Sequence, residues 1–256
     1  MFQTGCIIIL NFVQKWASLR IFAMMLTNAE IKSIRSLREK KFRDAEGLFV
    51  VEGEKMVAEA MASSFKVVRV LRSEDIGASA MERISLCATP SPVLAVVRMP
   101  RESVPDRIPA GLVLALDSVR DPGNFGTILR IADWFGVRQV YASPDTVETF
   151  NPKTVQASMG SVFRVRVSRC DIAALCAEFS AAGRRVCGTV LDGENIYSAQ
   201  LAADGLVVMG NESNGISAEV ARLLDCRLRI PSFGGGAESL NVAVATAVTL
   251  SEFRRR

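Results

Sequence analysis

Residues 114–137 read LALDSVRDPGNFGTILRIADWFGV, and this stretch decides the fold. An apolar run ends at Asp117, a Pro122-Gly123 turn follows, and from about Asn124 the apolar residues recur at helical spacing. The same change of pattern repeats along the second half of the chain. Apolar runs at 112–116, 139–142, 163–167, 186–190, 206–209 and 227–230 alternate with helical or loop stretches. That alternation predicts an α/β fold with a mainly parallel sheet covered on both faces. Ligands of such sheets bind beyond the carboxyl ends of the strands, so the loops that follow these runs are where the chemistry is sought.

Three of those loops carry polar residues. In the first, Gly123 and Gly126 flank a bare helix start, and Asn124, Thr127 and Arg130 fall on successive turns. A cap at Asn124 and a surface ion pair at Arg130 is the plain reading. An arginine in the second turn behind a glycine-rich bend favours a phosphate or ribose contact. The second loop, Gly210-Asn211-Glu212-Ser213-Asn214-Gly215, follows a buried strand and precedes Ser217, which can cap the next helix. The third follows Ile230-Pro231, runs through Gly234-Gly235-Gly236, and enters an Ala/Val-rich helix near Ser239. A helix apolar nearly all round has to be buried, and Glu238, Ser239 and Asn241 at its start point back towards the strand ends. No G-x-G-x-x-G follows the first strand and no phosphate-loop lysine is present, so these glycines alone specify no nucleotide site.

Upstream, Thr27 or Asn28 can cap a helix running to about Lys41, with Ile31, Ile34 and Leu37 on its buried face. Lys32, Arg35, Arg38, Lys40, Lys41 and Arg43 accompany one acid, Glu39. They form either a solvated face or a phosphate-contacting surface. A strand at 47–51, a helix at 53–63 and a strand at 66–71 complete a small α/β unit over 26–100. Pro100, Pro105 and Pro109 mark a linker over 101–109, and the second domain occupies 110–256. Residues 1–25 leave two readings open: an extension ahead of a start at Met24 or Met25, or an extra helix. Their apolar stretch at 6–13 is too short to span a bilayer and lacks the flanks of a signal peptide.

Composition narrows the chemistry. The 256 residues contain no histidine, which removes the commonest general base, the Ser-His-Asp triad and histidine metal sites. Six scattered cysteines without a C-x-x-C pair predict buried thiols in a reducing cytoplasm, with no disulfide framework and no metal site. The formal charge of +4 permits an RNA partner without requiring one. No membrane association is expected.

The three loops together resemble the motifs of the SpoU (TrmH-like) RNA ribose methyltransferases of the SPOUT superfamily. Asn124-x-Gly126-x-x-x-Arg130 is similar to the first motif and Gly210-Asn211-Glu212-x-x-Gly215-Ile216-Ser217 to the second. Ile230-Pro231 with Glu238-Ser239-Leu240-Asn241-Val242-x-Val244-Ala245 is similar to the third. The likeness covers roughly 110–254, and its one departure is Ser213, where many relatives have glycine. Residues 26–100 resemble the L30e-like substrate-binding domain that often precedes this catalytic domain.

The resemblance implies a C-terminal trefoil knot (the SPOUT, α/β-knot fold), which the ordinary rule against knots would not suggest. It also implies S-adenosyl-L-methionine as cofactor, held by Gly210, Asn211, Ile230, Pro231 and Leu240 with Thr189 lining the cleft, and a homodimer. The substrate would be RNA, ribosomal rather than transfer RNA. The implied catalytic set is Arg130, Asn124, Glu212, Ser239 and Asn241. Arg130 would stabilise the developing alkoxide and clamp a phosphate, since a guanidinium keeps its proton at neutral pH. Glu212 would fix Arg130 or Asn124. Two rivals remain: a nicotinamide-dependent oxidoreductase, which lacks its phosphate fingerprint here, and a non-catalytic RNA-binding module on the same fold.

Overall fold

The computed structural model describes residues 26–101, 108–234, 236 and 238–255. The questions raised by residues 1–25, and most of the linker at 101–109, lie outside them. Helix α1 (Asn28–Ser36) opens with a capping box: the Thr27 hydroxyl accepts from the Glu30 amide at 3.2 Å while the Glu30 carboxylate accepts from the Thr27 amide at 2.8 Å. Those bonds, with one from Arg69, pull the Glu30 carboxyl down to about 2. The helix does not run on to Lys41. It breaks at Leu37, and a second helix, α2 (Lys40–Glu46), turns back and is closed by Gly47 at φ 63°. The break brings Arg43 under the first helix, where its guanidinium donates to the Leu37 carbonyl at 2.6 Å.

Strands β1 (Leu48–Glu52), β2 (Val67–Arg72) and β3 (Val93–Arg98) form an antiparallel sheet in the order β1-β3-β2, with α3 (Glu54–Ala62), α4 (Ser73–Ile76) and α5 (Ala78–Ile84) in the connections. The central strand is the one the sequence pattern does not mark. Val93, Ala95 and Val97 pack into one core and Leu94 and Val96 into another, so the run shows no alternation of polar and apolar residues.

The second sheet is parallel throughout, in the order β6-β5-β4-β8-β7-β9. Its strands are β4 (Leu112–Leu116), β5 (Gln139–Ala142), β6 (Arg166–Arg169), β7 (Val186–Asn195), β8 (Gly205–Met209) and β9 (Cys226–Arg229). Helices α6 (Pro122–Trp134), α7 (Pro152–Ser158), α8 (Ile172–Ala181), α9 (Ala218–Ala221) and α10 (Val242–Arg254) follow in the connections and at the end. The strand expected at 163–167 begins later, because Ser161–Phe163 is a 3₁₀ turn that delivers Phe163 to the contact with the first sheet. A close backbone approach seats α7 on α6: a β-carbon on Gly126 would lie 2.4 Å from the Thr154 carbonyl oxygen. From β4 the chain builds outward through β5 and β6, while β8 and β7 lie on its other side. The switch point therefore falls between β4 and β8, where the first and second loops emerge.

The two sheets share one core. Phe49 lies 4.5 Å from Phe150 and Phe65 5.1 Å from Phe163, ring centre to ring centre. Arg164 joins Glu59 of α3 to Asp133 of α6. Arg43, only 1% exposed, pairs with Glu148 in the loop after β5. This corrects the expectation that Arg43 contacts phosphate, since a side chain buried in the interior and turned to Leu37 and Glu148 presents no donor at the surface. Arg43→Ala is expected to cost about 3–5 kcal/mol by stranding a half-buried carboxylate and a backbone carbonyl. Urea unfolding measures it, and a cost below about 1 kcal/mol would show the pair to be dispensable.

The five described cysteines are free thiols, with Cys176, Cys187 and Cys226 buried and Cys87 and Cys170 partly so. Burial pushes Cys87 and Cys170 up to about 11 and Cys176 and Cys187 up to about 12. These thiols should react slowly with a disulfide reagent at pH 8 in the native protein and fast in guanidinium. Because an unfolded thiol ionises near 9, the unfolded chain sheds these protons first. Stability should fall as pH rises from about 9 towards 12, and a flat melting profile over that range would contradict this.

Candidate active site

The site is assembled from strand ends. Asp117 closes β4, is 6% exposed, and accepts from the Ser217 amide at 2.7 Å, which locks the first loop to the second. Asp121, ahead of Pro122, caps α6 by accepting from the Asn124 amide at 2.7 Å. The helix therefore starts two residues before Asn124, and the Asn124 side chain is free for other work.

That side chain joins all three loops. Asn124 Nδ2 donates to the Glu212 carboxylate at 3.0 Å, and Asn124 Oδ1 accepts from Asn241 Nδ2 at 2.9 Å. The polarity is forced: a carboxylate only accepts, so Asn124 must turn its amide nitrogen to Glu212 and its oxygen to Asn241. Asn241 Oδ1 in turn caps α10 by accepting from the Ala243 amide at 2.9 Å. Glu212 also accepts from the amides of Arg120 and Asp121 at 3.4 and 3.3 Å.

The second loop is held from within. Asn211 and Gly215 exchange both backbone bonds, at 2.9 and 3.0 Å. The Asn211 side chain accepts from the Ser213 and Asn214 amides and donates to the Ser118 carbonyl at 2.7 Å. Ser213 thus sits in a well-bonded turn, and the departure from glycine is accommodated. Gly210 packs so tightly that a β-carbon there would lie 2.2 Å from the Gly215 carbonyl carbon.

Arg130 stands apart. It lies on the exposed side of α6 beyond Asn124, and no described residue gives it a hydrogen bond or an ion pair. Of the two partners weighed for Glu212, the structure supplies Asn124. Ser239 is exposed next to Asn241. Thr189, at the end of the regular part of β7, donates to the Met209 sulfur at 3.5 Å. Ile230 and Pro231 follow β9 half-buried, and Leu240 is 49% exposed. Thr189, Gly210, Ile230, Pro231 and Leu240 thus offer strand-end backbone, one hydroxyl and apolar side chains, with no charge among them. That donor set suits a flat nucleoside read by backbone groups. Of the basic residues on α1, α2 and the turn between them, Lys32, Arg35, Arg38, Lys40 and Lys41 are exposed, with Lys40 paired to Asp44 and Lys41 to Glu39. Among the described residues no cluster of three or more potential metal ligands occurs, and no helix is long and apolar enough to cross a membrane.

Sequence reasoning missed Asp117 and Asp121. The Asp-Pro step at 121–122 is a readable cap signal, whereas the hold of Asp117 on Ser217, a hundred residues away, leaves no local trace.

Fold and site define a class: a parallel α/β domain whose loops beyond the strand ends at the switch point are tied together by amide and carboxylate groups, with Arg130 unpaired among the described residues on the helix that follows. Comparison with known proteins gives the class its family. Residues 111–251 match the SpoU rRNA Methylase family model, and residues 28–98 match the model of an MRM3-like substrate binding domain. The 23S rRNA (guanosine(2553)-2'-O)-methyltransferase RlmP of Bacillus subtilis is 32% identical over 243 residues, covering 89% of this chain and 96% of that protein. A TrmH-family RNA methyltransferase structure from Porphyromonas gingivalis superposes with a TM-score of 0.81 at 40% identity, covering 91% of this chain and 99% of the other. The AdoMet-bound rRNA methyltransferase structure from Sinorhizobium meliloti gives 0.82 at 33% identity over 91% and 96% of the two chains. The chain belongs to the SpoU rRNA methylase family.

Proposed function

We infer that this protein transfers a methyl group from S-adenosylmethionine to a ribose 2′-hydroxyl of ribosomal RNA. The observation that carries the reading is the joint at Asn124, which ties the three family loops together at the start of the helix that carries Arg130, an exposed arginine with no partner among the described residues. When bound, S-adenosylmethionine supplies an electrophilic methyl group on a charged sulfur. Thr189, Gly210, Ile230, Pro231 and Leu240 hold it, with Asn211 keeping the second loop in shape. What remains is to hold a hydroxyl oxygen in line and to stabilise the charge that grows as its proton departs to the adjacent RNA phosphate and from there to solvent. Arg130 takes the phosphate beside the target ribose and stabilises the 2′-oxygen. Asn124, oriented by Glu212 and Asn241, positions the ribose, and Ser239 supports the third loop.

The same reading makes residues 26–100 an L30e-like unit that binds the RNA through Lys32, Arg35, Arg38, Lys40 and Lys41, in the cytoplasm where ribosomal RNA is made. It also includes the trefoil knot. In support, β9 lies at the outer edge of the sheet, yet Asn241 bonds Asn124 near the centre, so the chain between them returns across the strand ends. For a homodimer, Trp134 at the far end of α6 is 85% exposed and Val244 in the first turn of α10 is 50% exposed, leaving apolar surface on the two helices that lead away from the site for a second copy.

The test is to incubate the protein with tritiated S-adenosylmethionine and total RNA from a strain lacking the gene, then map label by primer extension at limiting nucleotide. Label in one ribose of ribosomal RNA is expected, with light scattering giving the mass of a dimer. Neither label nor cofactor binding would sink the reading.

A further inference from the structure

Arg120 lies between β4 and α6. Its amide donates to the Glu212 carboxylate at 3.4 Å, so its backbone is tethered at the rim of the Asn124 joint. Its guanidinium points elsewhere, to Asp145 in the loop after β5, again at 3.4 Å. That is long for a charge-assisted bond, and the two side chains are 71% and 47% exposed, so water screens the pair and it contributes little.

Asp145 has no need of it. The hydroxyls of Ser118 and Ser143 donate to its carboxylate at 2.6 and 2.7 Å, and these two bonds, ahead of Arg120, hold the carboxyl below its ordinary value. Arg120 can therefore leave at little cost to the loop. Three residues further along the same loop, Glu148 is gripped by Arg43 of α2. The loop on which Arg120 rests is thus the loop that meets α2, the helix that also carries the exposed Lys40 and Lys41.

We propose that Arg120 is a substrate-positioning residue that leaves Asp145 on RNA binding and clamps a backbone phosphate flanking the target ribose. The proposal rests on the methyltransferase reading of the site. Asp145 serves as the resting place that keeps the guanidinium at the rim when no RNA is present.

The probe is deproteinised ribosomal RNA from a strain lacking the gene, with the full-length protein, in steady-state kinetics and in filter binding over a range of KCl concentrations. Arg120→Gln should raise the KM for RNA about tenfold, leave kcat within about twofold, and reduce the slope of log Kd against log salt by about one. Its affinity for S-adenosylmethionine should match the wild type, which also reports an intact fold. Arg120→Lys should restore most of the loss, because a phosphate accepts a point charge. Asp145→Asn should tighten RNA binding, since it removes the competitor. An unchanged KM and slope in Arg120→Gln would overturn the proposal. So would a lysine variant as poor as glutamine, which would mean bidentate reading of a base. Weaker binding by Asp145→Asn would do the same, because the pair would then be a structural unit. Filter binding needs no turnover. A wild type that binds RNA with an Arg120-dependent salt slope but labels nothing fails the methyltransferase reading and leaves the clamp standing.

Discussion

Arg130→Ala should lower kcat for RNA methylation by about 10²–10³-fold while S-adenosylmethionine binds as it does to the wild type. The size follows from what the side chain is asked to do. Negative charge appears on the 2′-oxygen only as its proton departs on the way to the transition state, so a donor aimed at that atom acts on the transition state far more than on the bound substrate. The variant isolates chemistry because Arg130 does so little else. It is exposed and has no partner among the described residues, so its removal should shift stability by no more than about 0.5 kcal/mol. Arg130→Lys should recover only part of the rate, since an ammonium cannot face a phosphate and an alkoxide through one planar fork. The measurement is single-turnover methylation with cofactor affinity determined in parallel. Wild-type rates from the alanine variant would remove Arg130 from the catalytic set.

Asn124 and Glu212 would give no such clean result. Each bonds the loops to one another, so removing either changes geometry and chemistry together, and the two should be strongly non-additive with Asn241.

The parallel sheet was legible because its inner strands β4, β5 and β8 are buried on both faces and so form near-continuous apolar runs, which composition reveals. The first sheet was legible only at its edges. Its middle strand, Val93–Arg98, lies just ahead of the linker at 101–109 and shows no alternation of polar and apolar residues, so the pattern left it unassigned. The two-helix corner at Leu37 was hidden for another reason: helical spacing continues through it, while in the folded chain the Leu37 carbonyl accepts from the Arg43 guanidinium six residues on. Arg43 was misplaced by the same blindness, because a basic run does not say which of its members turns inward to meet Glu148. In the site, the residues came from family motifs and not from periodicity. Residue spacing alone left Glu212 with two possible partners, and only the folded chain sets it on Asn124.

Gly210→Ala should be the most damaging single-atom change in the site. The added β-carbon would lie 2.2 Å from both the Gly215 carbonyl carbon and the Ile216 nitrogen, against an ordinary contact of 3.4–4 Å. Both are backbone atoms, so no rotamer change relieves the clash and the second loop has to open. Opening breaks the paired bonds between Asn211 and Gly215 and the bond from Asn211 to Ser118, and it carries Glu212, the next residue, away from Asn124. Stability should fall by about 2–4 kcal/mol, lowering Tm by about 5–15 °C. Cofactor affinity should drop at least about tenfold, because the strand end that faces the cofactor has moved. Gly215→Ala is the control. Gly215 adopts φ 68°, but nothing lies within 4 Å of its added carbon, so only backbone strain of about 1–2 kcal/mol is expected. If the two variants melt together, close packing is not what requires glycine at 210. If Gly210→Ala alone loses cofactor binding, the second loop has to be closed on itself before it can hold a ligand.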